Sequence, residues 1–196
     1  MSHPLPRGYS LIEMMIVMAL TVVVAAIAIP MSGNALGFFR VSGDARKVSN
    51  AMALAKLTAA ASFTQARLYV DLDAKTHHVE IYQKSGTPGW VWSGGSTALS
   101  QGVSMGYGSL ATPPPNTQVE INQAPECLTD AEVAIANTAC VIFNSRGIPV
   151  DSAEAPTASG AVYVTDGSAV YGVTISATGM SQVWQSGASS AVWSKQ

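Results

Sequence analysis

Arg7-Gly8-Tyr9-Ser10-Leu11-Ile12-Glu13, followed by MMIVMALTVVVAAIAI from Met14 to Ile29, is the stretch that decides how this chain is built. Met14–Ile29 carries no charge, and Glu13 is the only charged residue between Tyr9 and Phe39. Extended by Tyr9–Ile12, the run is about as long as the ~20 apolar residues that span a bilayer. Arg7 on its near side favours keeping that end in the cytoplasm, with everything after Pro30 outside. An ordinary secretory signal is the rival reading, and Ala26-Ile27-Ala28 offers a small-x-small cleavage site. Against it, Glu13 sits at the mouth of the apolar core, where a signal peptide gains nothing from a carboxylate. A helical pattern also resumes beyond the supposed cut.

Glu13 needs an explanation of its own. A carboxylate at the centre of a transmembrane helix costs about 2.5–3.5 kcal/mol on insertion scales, and less near the interface. No basic side chain follows it within two helical turns. Cleavage after Gly8 would create a positive α-amino group on Tyr9, to be met within the same chain or by a neighbouring one. The alternative is a carboxylate that reaches the interface and does nothing more.

The segment Arg7–Glu13 with its apolar continuation resembles the class III signal of type IV prepilins and pseudopilins. That resemblance implies a leader over 1–8 that a prepilin peptidase removes after Gly8. It also implies methylation of the new terminus at Tyr9, a retained helix, and a role for Glu13 in registering subunits during assembly. Tyr9 stands where the family usually has Phe, and Pro30 falls where members commonly carry a helix-kinking proline.

Past Pro30, Gly33, Gly37 and Gly43 are costly in a helix and predict a kinked or locally meltable stretch. Ala45, Val48, Met52, Ala55, Ala59, Phe63 and Ala66 then recur at three- and four-residue steps, one face of an amphipathic helix expected to pack on a sheet. A helix from Tyr9 to Ala66 would be ~85 Å long. Beyond it the pattern turns to strands. Arg67–Leu72 and His78–Gln83 flank a turn at Asp73–Thr76. Further strands are expected at Trp90–Ser93, Val119–Asn122, Cys140–Asn144, Ala161–Thr165, Ala169–Ser176 and Gln182–Gln185, with a loop at the prolines of Ala111–Asn116. The expected fold is α+β, a long N-terminal helix on an antiparallel sheet. The segments are a leader at 1–8, a membrane or filament-core helix at 9–42, and a globular head at 43–196. AMALAKLTAAASFTQARLYVDLD, Phe143–Pro149 and Val173–Gly179 resemble the GspH/FimT/FimU group of minor pilins and pseudopilins.

After Lys84 seven carboxylates face only Arg146 and Lys195, the wrong sign for neutralising nucleic-acid phosphates. The few clustered bases, Arg40, Arg46, Lys47 and Lys56, read as a solvated helix face near lipid headgroups. Cys127 and Cys140 are expected to pair if the head is exported, closing a loop worth very roughly 3 kcal/mol. His77 and His78 point to opposite faces of a strand and make a poor metal site. Asp71 and Asp73 read as solvated turn carboxylates, since an EF-hand needs a longer oxygen-rich loop. Trp90, Trp92, Trp184 and Trp193 read as core or subunit-contact residues. No phosphate loop, nucleophile elbow or zinc-protease motif occurs.

The sequence therefore implies a non-enzymatic subunit without cofactor or metal. Its partners would be a prepilin peptidase, the inner membrane and other pilin or pseudopilin subunits, with the head in the periplasm. Two alternatives stay open. One is a DNA-capturing minor pilin, although Gly179-Met-Ser-Gln182 stands where that group carries Gly-Arg-x-Arg. The other is a secreted protein with an ordinary cleaved signal.

Overall fold

The computed structural model describes residues 9–196, and the side chains of these except 29–35. The expected leader with Gly8 lies outside the described residues, as does the side chain of Pro30. Helix α1 runs Leu11–Ala61, 51 residues, with helical backbone through Pro30 and through Gly33, Gly37 and Gly43. The chain divides into two compact units between Phe38 and Phe39.

In the first unit the apolar residues of α1 are exposed on every side, and none of Leu11–Ala28 is buried. In the second unit Val41, Ala45, Val48, Met52, Ala55 and Ala59 are fully buried. These three- and four-residue steps place them on one stripe. The expected stripe continued through Phe63 and Ala66, but the helix stops first. Thr64 N–H donates to the Ala59 carbonyl and Phe63 N–H to that of Ala60, the paired bonds of a Schellman motif. Phe63 takes the left-handed position with φ +49° and is 81% exposed. Ala66 is buried, but from a strand.

Thirteen strands follow: β1 Ala66–Asp71, β2 Thr76–Gln83, β3 Gly89–Trp92, β4 Thr97–Ala98, β5 Ser104–Met105, β6 Cys127–Leu128, β7 Ala134–Ile135, β8 Thr138–Phe143, β9 Pro149–Val150, β10 Ala161–Thr165, β11 Ala169–Ile175, β12 Ser181–Gly187 and β13 Ser190–Lys195. The first sheet has the order β3-β2-β1-β8-β9, with β4 also on β2, and the second β13-β12-β11-β10-β5. All their pairings are antiparallel, and β6 and β7 form a separate hairpin. Leu68, Val70 and Phe143 of the first sheet join Val162, Val164 and Val173 of the second in one core with the helix stripe. Burying each such side chain stabilises by about 1.5–3 kcal/mol. A smaller cluster, Leu110, Ile121, Tyr163 and Val170 with Trp193 against it, includes residues from β10 and β11. Gly172 belongs opposite Tyr163, because a Cβ there would come within 2.7 Å of the tyrosine ring.

Val119–Asn122 is not a strand. Val119 is 98% exposed, and the ladder is replaced by side-chain amides. Gln123 Oε1 accepts Tyr163 N–H while its Nε2 donates to the Tyr163 carbonyl, so one amide completes the edge of β10.

Candidate functional site

The N-terminal segment is organised from Ser10. Its hydroxyl accepts the Glu13 N–H at 3.2 Å, and its carbonyl accepts from Glu13 and Met14. Ser10-Leu11-Ile12-Glu13 thus has capping-box spacing, with the serine half of the box formed. This places the Glu13 carboxylate in the first turn, where the helix dipole favours a negative charge. Glu13 forms no ion pair among the described residues, and Tyr9 is 80% exposed. Within the apolar run, Thr21 donates its hydroxyl to the Met18 carbonyl, so its polar atom is satisfied without water. The window Leu11–Ala28 is long and apolar enough to cross a membrane.

The head carries its polar chemistry on the first sheet, on the face away from the core. The β1–β2 register pairs Arg67 with Glu80 and Tyr69 with His78. Arg67 Nε donates to Glu80 Oε2 at 2.6 Å and Nη1 to the Leu128 carbonyl, and its guanidinium lies 4.1 Å from the Trp90 ring centre. Both charges are buried, and each has its counter-charge, the condition under which a buried pair survives desolvation. His78 Nε2 lies 3.1 Å from Glu80 Oε1, and its ring stacks between Tyr69 and Trp92. The disulfide Cys127–Cys140 ties the β6–β7 hairpin to β8, and Asp130 from that hairpin accepts the Trp90 N–H.

The opposite face holds a second polar site, where the helix meets the sheet. Asp44 is fully buried and accepts from Ser100 N–H, the Ser100 hydroxyl and Lys47 Nζ. His77 is buried too, and desolvation holds its pKa below the usual imidazole range, opposed by the Asp44 charge and reinforced by Lys47 and His78. Lys56 donates to the Gly179 carbonyl. Gly179, at φ +75°, has no room for a side chain, since a Cβ would sit 2.4 Å from the Gly147 carbonyl oxygen. The Gly147 and Gly179 turns thus meet over one lysine of α1.

Comparison with known proteins bears on the N-terminus. The family described as the prokaryotic N-terminal methylation motif matches residues 6–29. Residues 6–29 carry that methylation motif. No curated protein matches the sequence significantly. One structure of the minor pseudopilin EpsH from the type 2 secretion system of Vibrio cholerae overlaps this chain with a TM-score of 0.46 at 12% identity, covering 77% of this chain and 99% of the EpsH chain in that structure. A second EpsH structure gives 0.43 at 14% identity, covering 74% and 92%.

Of the expected site residues, Tyr9 lies two residues before α1, Glu13 lies in its first turn, and Cys127 bonds Cys140. Asp71 caps the Ala74 N–H, and Asp73 accepts from Asn137, each as a turn carboxylate. No group of three metal-ligating side chains occurs among the described residues. The Ser10 cap and the buried pair Arg67–Glu80 escaped sequence reading. Both had a signal: the S-x-x-E spacing for the first, and for the second the register that a turn at Asp73–Thr76 imposes on its flanking strands.

Proposed function

We propose that this chain is a structural minor pilin or pseudopilin subunit, processed by a prepilin peptidase and held in the inner membrane by one helix until it joins a filament. Cleavage follows Gly8, the peptidase methylates Tyr9, and residues 9–42 serve as membrane anchor and then filament core. Pro30 lets that segment bend, and the head, 43–196, stands in the periplasm, where the Cys127–Cys140 bond is at home. The motif match over residues 6–29 carries this reading. It is supported by an apolar helix segment, Leu11–Ala28, none of which is buried among the described residues. Filament assembly with other pilin or pseudopilin subunits gives those side chains a destination, and Glu13 a partner in a neighbour's Tyr9 amine. In low dielectric that contact favours one axial register, although desolvation limits its net stabilisation.

The test compares wild type with Glu13→Leu for membrane level, mature N-terminus and presence in sheared filaments or crosslinked pseudopilus complexes. Expected is normal insertion and cleavage with loss from the filament, because the substitution makes the helix more apolar and removes only the carboxylate. A mutant indistinguishable from wild type in all three would remove the assembly role of Glu13. A mature chain beginning at Ile29 would instead establish ordinary signal cleavage.

A further inference from the structure

The geometry points to a docking site for a basic side chain, arginine or lysine, of a second polypeptide, in the cleft on the outer face of the first sheet. The cleft holds about 440 Å³ and is lined by the stack Tyr69–His78–Trp92, by Trp90, and by Asp71 and Asp130. That volume lies in the range of small-ligand sites, ~300–1,000 Å³. Trp92 lies 4.1 Å from His78, ring centre to ring centre, yet is 59% exposed, so the stack ends on an aromatic surface open to solvent. His78 in turn is held against Tyr69 at 4.8 Å, which fixes the platform before any ligand arrives.

The charge of the cleft selects the ligand. Arg67 is the one arginine or lysine among the cleft's described lining residues; it is buried, its Nε and Nη1 donate to Glu80 and the Leu128 carbonyl, and its flat face covers Trp90. Arg67 and Glu80 cancel, which leaves Asp71 and Asp130 unneutralised. An anion would meet the like charge of those two carboxylates there, and a neutral apolar group would desolvate them without return. A guanidinium or ammonium gains both the carboxylate field and a tryptophan face, the ring that favours cation–π contact most. His78 is only 6% exposed and its Nδ1 has no hydrogen-bond partner, so the site already contains a buried polar atom the head does not satisfy.

The surroundings favour a peptide over a free small cation. An adjoining cavity of about 260 Å³ shares Arg67, Trp90 and Asp130, and adds Glu132, Asp151 and Glu154 against the single Lys84. Acidic character therefore continues past Trp90, matching a segment with more than one basic residue. The Cys127–Cys140 bond holds the hairpin that carries Asp130 and Glu132, so the same covalent link that closes the loop fixes one wall of the site. This inference stands on the head alone and does not depend on the pilin-like N-terminus.

The experiment uses the full chain in nonionic detergent micelles, with ¹⁵N-labelled tryptophan indoles, titrated with acetyl-Lys-Gly-Arg-amide. Acetyl-Leu-Gly-Leu-amide and acetyl-Glu-Gly-Glu-amide serve as controls. Expected is a saturable shift of the Trp92 indole, stationary Trp184 and Trp193 indoles, and no response to either control. A dye-labelled version of the basic peptide, followed by anisotropy, gives affinities for variants. Trp92→Leu should weaken it about fivefold and Asp71→Asn about threefold, while Glu120→Gln, away from the cleft, leaves it unchanged. Equal binding of the leucine peptide, equal weakening by all three variants, or the absence of a saturable Trp92 shift would each overturn the assignment.

Discussion

One helix carries two carboxylates, and they live by different rules. Asp44, in the stretch of α1 inside the head, is fully buried and accepts three hydrogen bonds, from Ser100 and Lys47. Glu13, in the apolar stretch, has no ion-pair partner among the described residues and sits among side chains that are exposed on every side. The same contrast runs through the apolar residues. From Val41 to Ala59 they form a stripe covered by two sheets, whereas from Leu11 to Ala28 they go all round the helix and none is buried among the described residues. A helix that is apolar on all sides is made for an apolar surrounding. The stripe from Val41 to Ala59 has its apolar surrounding in the same chain.

The largest effects should come from placing the same charge in each stretch. Met52→Asp puts an unpaired carboxylate into the core, at a cost of about 5 kcal/mol or more, comparable with the whole stability of many domains. The head should lose cooperative thermal unfolding while the chain still reaches the membrane. Val23→Asp should do the reverse. It penalises insertion by about 2.5–3.5 kcal/mol and leaves the head's melting transition unmoved. Membrane fractionation and circular-dichroism melts in detergent give both readings. A Val23→Asp protein that inserts as wild type, or melts well below it, would remove the distinction between the two stretches.

How much of this was legible follows the same division. The apolar run announces itself by composition, since no tertiary contact modulates it. The stripe from Ala45 to Ala59 was readable because the helix has a fixed period, and β1, β2, β10 and β11 because short runs rich in β-branched and aromatic residues between turn signals mark strands. The reading failed where side chains do the work of backbone. Val119-Glu-Ile-Asn122 alternates like a strand, yet the edge it should supply is made by the Gln123 amide. β13 was missed because Ser190–Lys195 lies largely exposed, pairing with β12 and showing little alternation to read. Asp44 gave no sign of burial, because its partner Ser100 lies fifty-six residues away and only the folded chain brings it near.

A smaller effect tests the pairing of helix and sheet at His77. Its folded pKa is lowered, chiefly by burial, from an ordinary value of about 6.5. The unfolded chain therefore binds the proton more readily than the folded one. Stability from this residue is complete above about pH 6.5, declines as pH falls through that value, and levels off below the folded pKa. Melting temperatures between pH 7.5 and 5.5 should fall on acidification, and His77→Asn should flatten the slope over that window. An unchanged slope would mean that another group, and not this helix-facing histidine, is responsible.

The smallest effect concerns where the covered stretch ends. Phe63 holds the left-handed position of the Schellman motif at φ +49°, a conformation that costs an L-residue about 1–2 kcal/mol and glycine nothing. Its ring is 81% exposed, so little packing is lost by removing it. Glycine returns part of the gain through the greater freedom of the unfolded chain, about 0.5–1 kcal/mol. Phe63→Gly should therefore raise stability by about 0.5–1 kcal/mol, some 2–3 °C in melting temperature for a domain of this size. Phe63→Ala removes the ring but keeps the backbone penalty, and should melt with wild type. Gly above Ala assigns the effect to the backbone that stops the helix; Ala equal to Gly assigns it to the exposed ring, and the motif would then cost the head nothing at this position.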